Sequence, residues 1–191
     1  MKFSVVIPTY GRSEFRELAI QSVVSQTLKP FEIIVVENGV IDAGEELVAS
    51  ESFIRDGVEI KCFKTSRAGA NLARHFGVLQ ASGEFIAFLD DDDLWDPRKL
   101  QIQSKAIRES GSQFCYTAKK IFNKNYSYYS FDALPEGDLA LEIAKRNFVG
   151  TFSSVVVSRE AYLNSGGCDL ELPCFQDYEL YLRLLCSGTA C

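Results

Sequence analysis

Apolar runs divide the first half of the chain into short segments that resemble strands. They cover residues 3–7, 32–36 and 85–89, and residues 58–63 predict a further strand; each segment gives way to polar or turn-forming residues. Such nearly continuous apolar runs are typical of strands buried on both faces of a sheet. The intervening segments predict helices: one capped by Ser13, a weaker one over 42–54 and one over 68–80. This alternation indicates βαβ units, and therefore an α/β sandwich with a mostly parallel central sheet.

The second half of the chain has a less regular pattern. Asp96-Pro97 predicts the start of another helix, with Asp as the N-cap and Pro at the first helical position. Strand-like segments are 113–122, 126–131 and 152–157, and helices are predicted near 138–147, 159–164 and 176–186. The segment most like a linker, 132–137, is short. With 191 residues and no repeat, we expect one domain.

Composition narrows the classes of function. The net charge of −6 argues against binding to nucleic acid by bulk electrostatics, so any anionic ligand needs a local cation. Six cysteines without a CxxC pair and a single histidine, His75, make a structural zinc site a poor fit. The start of the chain does not resemble a signal peptide, and no apolar stretch approaches 18 residues. We therefore expect a soluble protein in the cytoplasm.

Four consecutive aspartates, Asp90 to Asp93, follow the apolar run 85–89. Most acidic runs are solvated loops. This one begins where open α/β sheets place their ligand crevice, at the carboxyl end of a buried strand. Residues two apart project to the same side, so Asp90 and Asp92 can face one ligand together. Their hard oxygens suit Mg²⁺ or Mn²⁺ bound together with substrate phosphates, and the position favours this interpretation.

Two other strand ends suggest a crevice for a nucleotide. Thr9 and Tyr10 follow the first strand, and Glu37 and Asn38 follow the second. An aromatic face and polar side chains suit a base and a ribose, although turn chemistry alone also accounts for these residue types. Neither GxGxxG nor GxxxxGK[ST] occurs, so a dinucleotide site and a P-loop are poorly supported.

Four ordered blocks of the sequence resemble the family 2 glycosyltransferases, which are GT-A-fold enzymes that use nucleotide-diphospho sugars. The blocks are Ser-Val-Val-Ile-Pro-Thr-Tyr-Gly-Arg at 4–12, Glu-Ile-Ile-Val-Val-Glu-Asn-Gly at 32–39, the stretch 69–97 through the four aspartates to Trp-Asp-Pro, and Gly-Gly-Cys-Asp at 166–169 followed by Gln-Asp-Tyr-Glu-Leu at 176–180. They occur in the family's order and span nearly the whole chain.

The resemblance implies a role for each site residue. The residues expected to hold the nucleotide sugar are Thr9, Tyr10, Glu37, Asn38, Arg67, Arg74, Asp90 and Asp91. Asp92 would be the metal ligand, with Asp90 as the other acidic position of the family's DXD motif. Asp177 matches the catalytic base, although a first-turn acid alone would be read as a helix cap. Three positions depart from the family pattern: Glu37-Asn38 replaces Asp-Asp or Asp-Asn, His75 replaces Asn after Ala-Arg, and Gln176 replaces Glu before Asp177.

The expected activity is an inverting transfer of a sugar, UDP-linked by preference, to a hydroxyl of a saccharide or lipid-linked acceptor, with Mn²⁺ or Mg²⁺ as cofactor. Residues 1–95 would bind the nucleotide sugar. Residues 96–191 would form the acceptor side, with part of it, and any contact with the inner face of the membrane, lying beyond the end of this chain. An acceptor surface is expected from aromatic residues of the segment 113–175: Tyr116, Tyr126, Tyr128, Tyr129 and Phe131. Two alternatives stay open, a metal-dependent nucleotidyltransferase or phosphohydrolase and a catalytically silent binding module.

Overall fold

The first half of the chain forms alternating strands and helices. The computed structural model describes residues 1–39, 47–122, 125–130 and 133–191. Its first seven elements are β1 (Phe3–Thr9), α1 (Ser13–Val24), β2 (Glu32–Asn38), β3 (Leu47–Arg55), β4 (Val58–Thr65), α2 (Ala70–Gln80) and β5 (Phe85–Phe88). The predicted strands 3–7, 32–36, 58–63 and 85–89 are therefore confirmed as β1, β2, β4 and β5. Strand β1 is buried throughout, whereas several side chains of β4 are only half-buried.

The second half adds shorter elements around this frame. They are α3 (Lys99–Ser110), β6 (Phe114–Tyr116), β7 (Lys119–Phe122), β8 (Ser127–Ser130), α4 (Leu139–Lys145), a 3₁₀ turn (Phe152–Ser154), β9 (Val155–Ser158), α5 (Arg159–Asn164) and α6 (Gln176–Cys186). None of the helices in the described ranges has the length and apolar character needed to span a bilayer.

Seven strands within the described residues form one sheet in the order β3-β4-β2-β1-β5-β9-β6. Strands β1, β2, β4 and β5 run parallel, while β3 and β9 are antiparallel to their neighbours β4 and β5. Thr9 lies opposite Glu37, and Asn38 lies opposite Thr65, so these strands end at the same edge. The predicted α/β sandwich with a mostly parallel sheet is confirmed.

Helices cover both faces of the sheet, and alternate side chains of β1 enter two different cores. Val5 and Ile7 pack in the core that contains residues of α1 and α3. Val6 packs in the core that contains residues of α2 and α6. Helix α2 lies so close to β1 that a Cβ on Gly77 would come within 2.4 Å of the Cγ1 atom of Val6. A side chain at position 77 would therefore push the helix off the sheet.

The predicted helix over 42–54 is wrong for its described part, because residues 47–55 form strand β3. Residues 42–46 lie outside the described residues. Strand β3 pairs antiparallel with β4 through a tight turn in which Asp56 and Gly57 both have positive φ, at 49° and 80°. An Asp-Gly pair in this conformation is a strong hairpin signal, and it fixes the segment as a strand.

Two predicted helix starts also need correction. Ser13 is the first residue of α1 and does not cap it. The N-cap is Arg12, which makes no side-chain capping hydrogen bond. Helix α3 begins at Lys99, two residues beyond Pro97. The Asp96 carboxylate accepts a hydrogen bond from the backbone N–H of Arg98 at 2.9 Å, so it stabilises a turn that precedes the helix.

Candidate active site

The acidic residues lie where β5 meets the edge formed by the ends of β1 and β2. The backbone N–H of Leu89 still donates to the carbonyl of Val6, so the sheet pairing continues up to the first aspartate. The N–H of Asp93 then donates to the carbonyl of Asp90 at 3.1 Å. The chain therefore turns within the run, and the four carboxylates meet different partners.

Three of these carboxylates are held by side chains from other elements. Asp91 is buried and accepts a hydrogen bond of 2.7 Å from the Thr9 hydroxyl. Asp92 is half exposed and pairs with Arg12 at 2.9 Å. Asp90 pairs with Arg74 at 2.6 Å. These contacts favour a structured site over a solvated loop.

Ser153, which the sequence did not single out, supports the same loop from the 3₁₀ turn. Its hydroxyl accepts from the backbone N–H of Asp90 at 3.0 Å, and its carbonyl accepts from the indole N–H of Trp95 at 2.9 Å. Burial raises the pKa of the half-buried Asp93, the hydrogen bond from Ser153 opposes this, and the charges of Asp90 and Asp92 add to the increase. The loop is therefore fixed at both ends by one residue distant in sequence.

Arg74 connects the acidic loop with the start of α6. Its guanidinium is nearly buried, stacks 4.0 Å from the ring centroid of Phe152, and donates to Asp90 and to Gln176 Oε1, the latter at 3.3 Å. Its Nε and the buried hydroxyl of Tyr181 have no hydrogen-bond partner within the described part of the chain. Arg74 thus places positive charge between Asp90 and the helix that carries Asp177.

Asp177 is half-buried in the first turn of α6, where its carboxylate accepts from the N–H of Tyr178 at 2.7 Å. Burial, and then the negative charge of Asp177, raise the pKa of the Tyr181 hydroxyl well above its usual value; Arg74 opposes this and Asp90 adds to it. The negative charges of Asp177 and Asp90 therefore both act on this buried phenol.

The ends of β1 and β2 are joined through Asn38. Its amide N–H donates to the carbonyl of Thr9 at 2.7 Å, and its amide oxygen accepts from the N–H of Gly69 at 3.0 Å. Tyr10 is 60% exposed, and a Cβ on Gly39 would lie 2.9 Å from its ring. Because Asn38 already holds the backbone, Tyr10 is the group at this strand end that presents a free face.

Two predicted ligands of the nucleotide sugar form ion pairs with residues outside the acidic loop. Glu37 approaches Arg16 at 3.9 Å. Arg67 pairs with Glu171 at 2.9 Å, and both side chains are exposed. The structure therefore brings Arg74, but not Arg67, to the acidic loop, and it adds Arg12, which the sequence analysis left out. Arg12 follows the end of β1 by three residues, so its position at the strand end was a usable signal.

The described ranges contain no cluster of three or more His, Cys, Asp or Glu side chains that could hold a metal ion. Asp90 and Asp92, the predicted metal residues, each face an arginine. The aromatic residues expected to bind an acceptor differ in exposure. Tyr116 is half-buried against Phe148, while Tyr126, Tyr128 and Tyr129 are exposed. Phe131 lies outside the described residues.

Comparisons with known proteins find similarity to glycosyltransferases. A family model described as "Glycosyl transferase family 2" matches residues 4–163. An uncharacterized glycosyltransferase of Rickettsia conorii is 34% identical over 160 residues, which cover 80% of this chain and 26% of that protein. An Escherichia coli protein named UDP-Glc:alpha-D-GlcNAc-diphosphoundecaprenol beta-1,3-glucosyltransferase WfgD is 33% identical over 123 residues, which cover 64% of this chain and 47% of that protein.

Two solved structures show the same fold. S. aureus TarS 1-349 in complex with UDP-GlcNAc matches 97% of this chain and 53% of its own, with a TM-score of 0.74 and 21% identity. The mannosyltransferase PcManGT from Pyrobaculum calidifontis, in complex with GDP-Man and Mn²⁺, matches 99% of this chain and 53% of its own, with a TM-score of 0.68 and 14% identity. The chain thus spans about a quarter of its Rickettsia relative and about half of each solved chain.

Proposed function

The chain belongs to glycosyl transferase family 2, and from this premise we propose an inverting, metal-dependent transfer of a sugar from a UDP-sugar to a hydroxyl of a saccharide or lipid-linked acceptor. The observation that carries the proposal is the position of Arg74. This side chain contacts both Asp90 in the acidic loop and Gln176 at the start of α6, beside Asp177. A donor diphosphate bound at the acidic loop would therefore lie near Asp177, the candidate proton acceptor.

Tyr10 provides the platform for the nucleoside. Its exposed ring beside Gly39 leaves one face open for a base, and stacking on an aromatic ring accepts any base. The E. coli relative and the TarS complex both carry a UDP-sugar in their names, which supports uridine as the preferred base. Asn38, Thr9 and Asp91 support this site by holding the strand ends together.

The departing diphosphate needs positive charge, which this acidic chain must concentrate locally. Arg12 and Arg74 supply it beside the acidic loop. Asp90 and Asp92 have the hard carboxylate oxygens that Mn²⁺ or Mg²⁺ takes when substrate phosphates complete its ligand set, so the donor set fits such an ion. Bound there, the metal would neutralise charge on the leaving diphosphate.

Asp177 is the proposed general base. It takes the proton of the acceptor hydroxyl while that oxygen forms its bond to the anomeric carbon. The bond from this carbon to the diphosphate oxygen breaks, and its electron pair leaves with the diphosphate. A single displacement of this kind inverts the anomeric centre. With a lipid-linked acceptor, of the kind in the E. coli relative's name, the reaction would take place at the cytoplasmic face of a membrane.

The decisive experiment is Asp177→Asn, with donor binding and sugar transfer measured on the same protein. A base acts only on the acceptor, so we expect donor affinity with Mn²⁺ to stay nearly unchanged while transfer falls by roughly 10² to 10⁴-fold. Glu109→Gln, which neutralises an exposed carboxylate on α3, is the control and should leave both quantities unchanged.

Product stereochemistry, read by NMR, is an independent test, because retention would exclude the single displacement. The two alternatives predict other results. Donor hydrolysis without transfer to any acceptor would identify a phosphohydrolase. Donor binding with neither reaction would identify a silent binding module.

A further inference from the structure

The two-stranded ribbon of β7 and β8 exposes aromatic side chains on both of its faces. In this ribbon Lys120 lies opposite Tyr129, and Ile121 lies opposite Tyr128. Side chains alternate between faces along a strand, so Lys120, Phe122 and Tyr129 share one face. Phe122 and Tyr129 are 60% and 76% exposed. We call the face that carries Lys120, Phe122 and Tyr129 the outer face of the ribbon.

The opposite face is aromatic as well. Tyr128 lies on it and stacks with Tyr126, with ring centroids 5.9 Å apart and an angle of 25° between the planes. Both tyrosines are exposed. A rigid protein partner would cover one face of such a ribbon and leave the other in water. A fluid lipid interface, which can surround side chains from both faces, fits this distribution of aromatic side chains better.

The ribbon is also the place where an acidic chain carries a local excess of positive charge. The described residues of β7 and β8 include Lys119 and Lys120 and no aspartate or glutamate, whereas the whole chain has a net charge of −6. The ammonium of Lys120 lies 5.9 Å from the ring centroid of Tyr129. Aromatic rings beside lysines are the combination that binds at the interface of anionic bilayers.

We propose that the β7–β8 ribbon docks the protein on an anionic lipid bilayer, with aromatic side chains from both of its faces inserted among the headgroups. The base of the ribbon adjoins the 3₁₀ turn that supports the acidic loop: two residues before β7, the backbone N–H of Thr117 donates to the carbonyl of Ser154 at 3.2 Å. The positive charge of Lys119 also acts on Asp93 of that loop. Docking through this ribbon would bring the acidic loop to the lipid surface. Vesicle binding can be measured without any sugar transfer, so the proposal can fail while the proposed function stands.

The test is co-sedimentation with vesicles of phosphatidylcholine alone and of phosphatidylcholine mixed with phosphatidylglycerol. We expect the chain to bind the anionic vesicles in preference, and salt to weaken the binding. Phe122→Ser combined with Lys120→Glu should reduce binding by about tenfold or more, because it removes an inserted ring and reverses a charge. The matched control is Phe15→Ser combined with Lys105→Glu, an exposed ring and an exposed lysine on α1 and α3, and it should bind like the wild type.

A second measurement does not depend on loss of binding. The native tryptophan, Trp95, is buried, so Tyr129→Trp adds a reporter at the ribbon. Its emission should shift to shorter wavelength when anionic vesicles are added. Equal vesicle binding by the ribbon variant and the wild type, or an unchanged emission, would overturn the proposal. Reduced transfer to a soluble saccharide together with unchanged vesicle binding would also overturn it, and would assign the ribbon to the acceptor.

Discussion

Carboxylates lie at opposite edges of the same sheet, and the chain satisfies them in different ways. At the amino edge, Glu32 is completely buried. Its two oxygens accept hydrogen bonds from the Ser4 hydroxyl at 2.6 Å, the Ser82 N–H at 2.7 Å and the Lys61 ammonium at 2.6 Å. The chain itself supplies every partner, and this carboxylate joins β1, β2, β4 and the turn that precedes β5.

At the carboxyl edge, three of the four aspartates share two arginines. The Arg12–Asp92 pair is about half exposed on both sides, and Arg74 also contacts Gln176. The half-exposed Arg12 can be exchanged for a ligand at small cost, because a surface ion pair contributes little to stability. The difference between the two edges teaches that the completeness of the partner set, more than burial or charge alone, separates a structural carboxylate from one available to a substrate.

The largest effect on stability is expected when the satisfied edge is broken. Glu32→Ala leaves Lys61, Ser4 and the Ser82 N–H without their acceptor, and should lower the free energy of unfolding by about 3 to 5 kcal/mol. Denaturant unfolding measures this change. Glu84→Gln, an exposed carboxylate at the same edge, is the control. A loss below about 1 kcal/mol for Glu32→Ala, the scale of a surface pair, would remove the distinction between the two edges.

The acid limb of the stability curve gives a second test of Glu32. Burial alone raises its pKa, but the hydrogen bonds from Lys61, Ser4 and Ser82 outweigh burial and leave the pKa below its ordinary value of 4.5. A lowered pKa contributes stability that is present above about pH 4.5 and is lost as the pH falls through the folded value. Glu32→Gln should therefore flatten this limb.

Sequence patterns located the strands and their ends well, because these depend on neighbouring residues. The apolar runs marked β1, β2, β4 and β5, and the strand ends marked Thr9, Asn38 and Asp90. The predicted helix over 42–54 is wrong for its described residues, 47–54, because their antiparallel pairing with β4 through the Asp56-Gly57 turn decides their conformation.

The partners of the site residues could not be read from the sequence in the same way. Arg12 lies 80 positions before Asp92, and Ser153 lies 63 positions after Asp90. No local pattern reports such contacts, since they depend on how the strands are ordered in the sheet and on the turn that brings Ser153 to the loop. The division of the chain into a half that binds the nucleotide sugar (1–95) and an acceptor half (96–191) stays a prediction.

Lys99 is a buried amine close to the acidic loop, and it contrasts with Glu32 because its polar partner among the described residues is an uncharged amide. The Lys99 ammonium donates to Gln103 Oε1 at 2.5 Å and lies 4.3 Å from the centroid of the Trp95 ring. Burial lowers its pKa to about 7. Between pH 7 and about 10.5 the unfolded chain binds this proton and the folded chain does not, so stability should rise with pH by at most about 1.4 kcal/mol for each pH unit.

Lys99→Met should remove this rise and stabilise the protein below pH 7 by about 1 to 4 kcal/mol, the range for replacing a buried charge with an apolar side chain. Thermal and denaturant unfolding across pH 6 to 10 measure both effects. Lys105→Met, an exposed lysine of the same helix, is the control. A pH dependence that survives in Lys99→Met would show that another group causes it.

Tyr10 tests whether the carboxyl edge is open to a ligand. Tyr10→Ala should weaken binding of UDP by about 1 to 3 kcal/mol, the contribution of one stacked base, without a comparable loss of stability, since the ring is exposed. Calorimetry with UDP, GDP and CMP measures it, and UDP should bind most tightly. The control is Tyr129→Ala, an exposed tyrosine of the β7–β8 ribbon. Equal affinity for the three nucleotides would contradict the preference for uridine.

The smallest change in stability is expected at the exposed member of the acidic loop, where ligand binding should nevertheless change most. Asp92→Asn loses a half-exposed pair with Arg12 but also relieves repulsion among four neighbouring carboxylates, so the free energy of unfolding should change by less than about 0.5 kcal/mol, with a small gain expected. Asp90→Asn should cost more, because it leaves the nearly buried Arg74 without its carboxylate.

Mn²⁺-dependent binding of a nucleoside diphosphate should be lost in Asp92→Asn and reduced in Asp90→Asn, whereas Asp96→Asn should retain it. Unchanged metal-dependent affinity in both variants would mean that the acidic loop is a structural element like Glu32, and the contrast between the two edges would then lie in exposure alone.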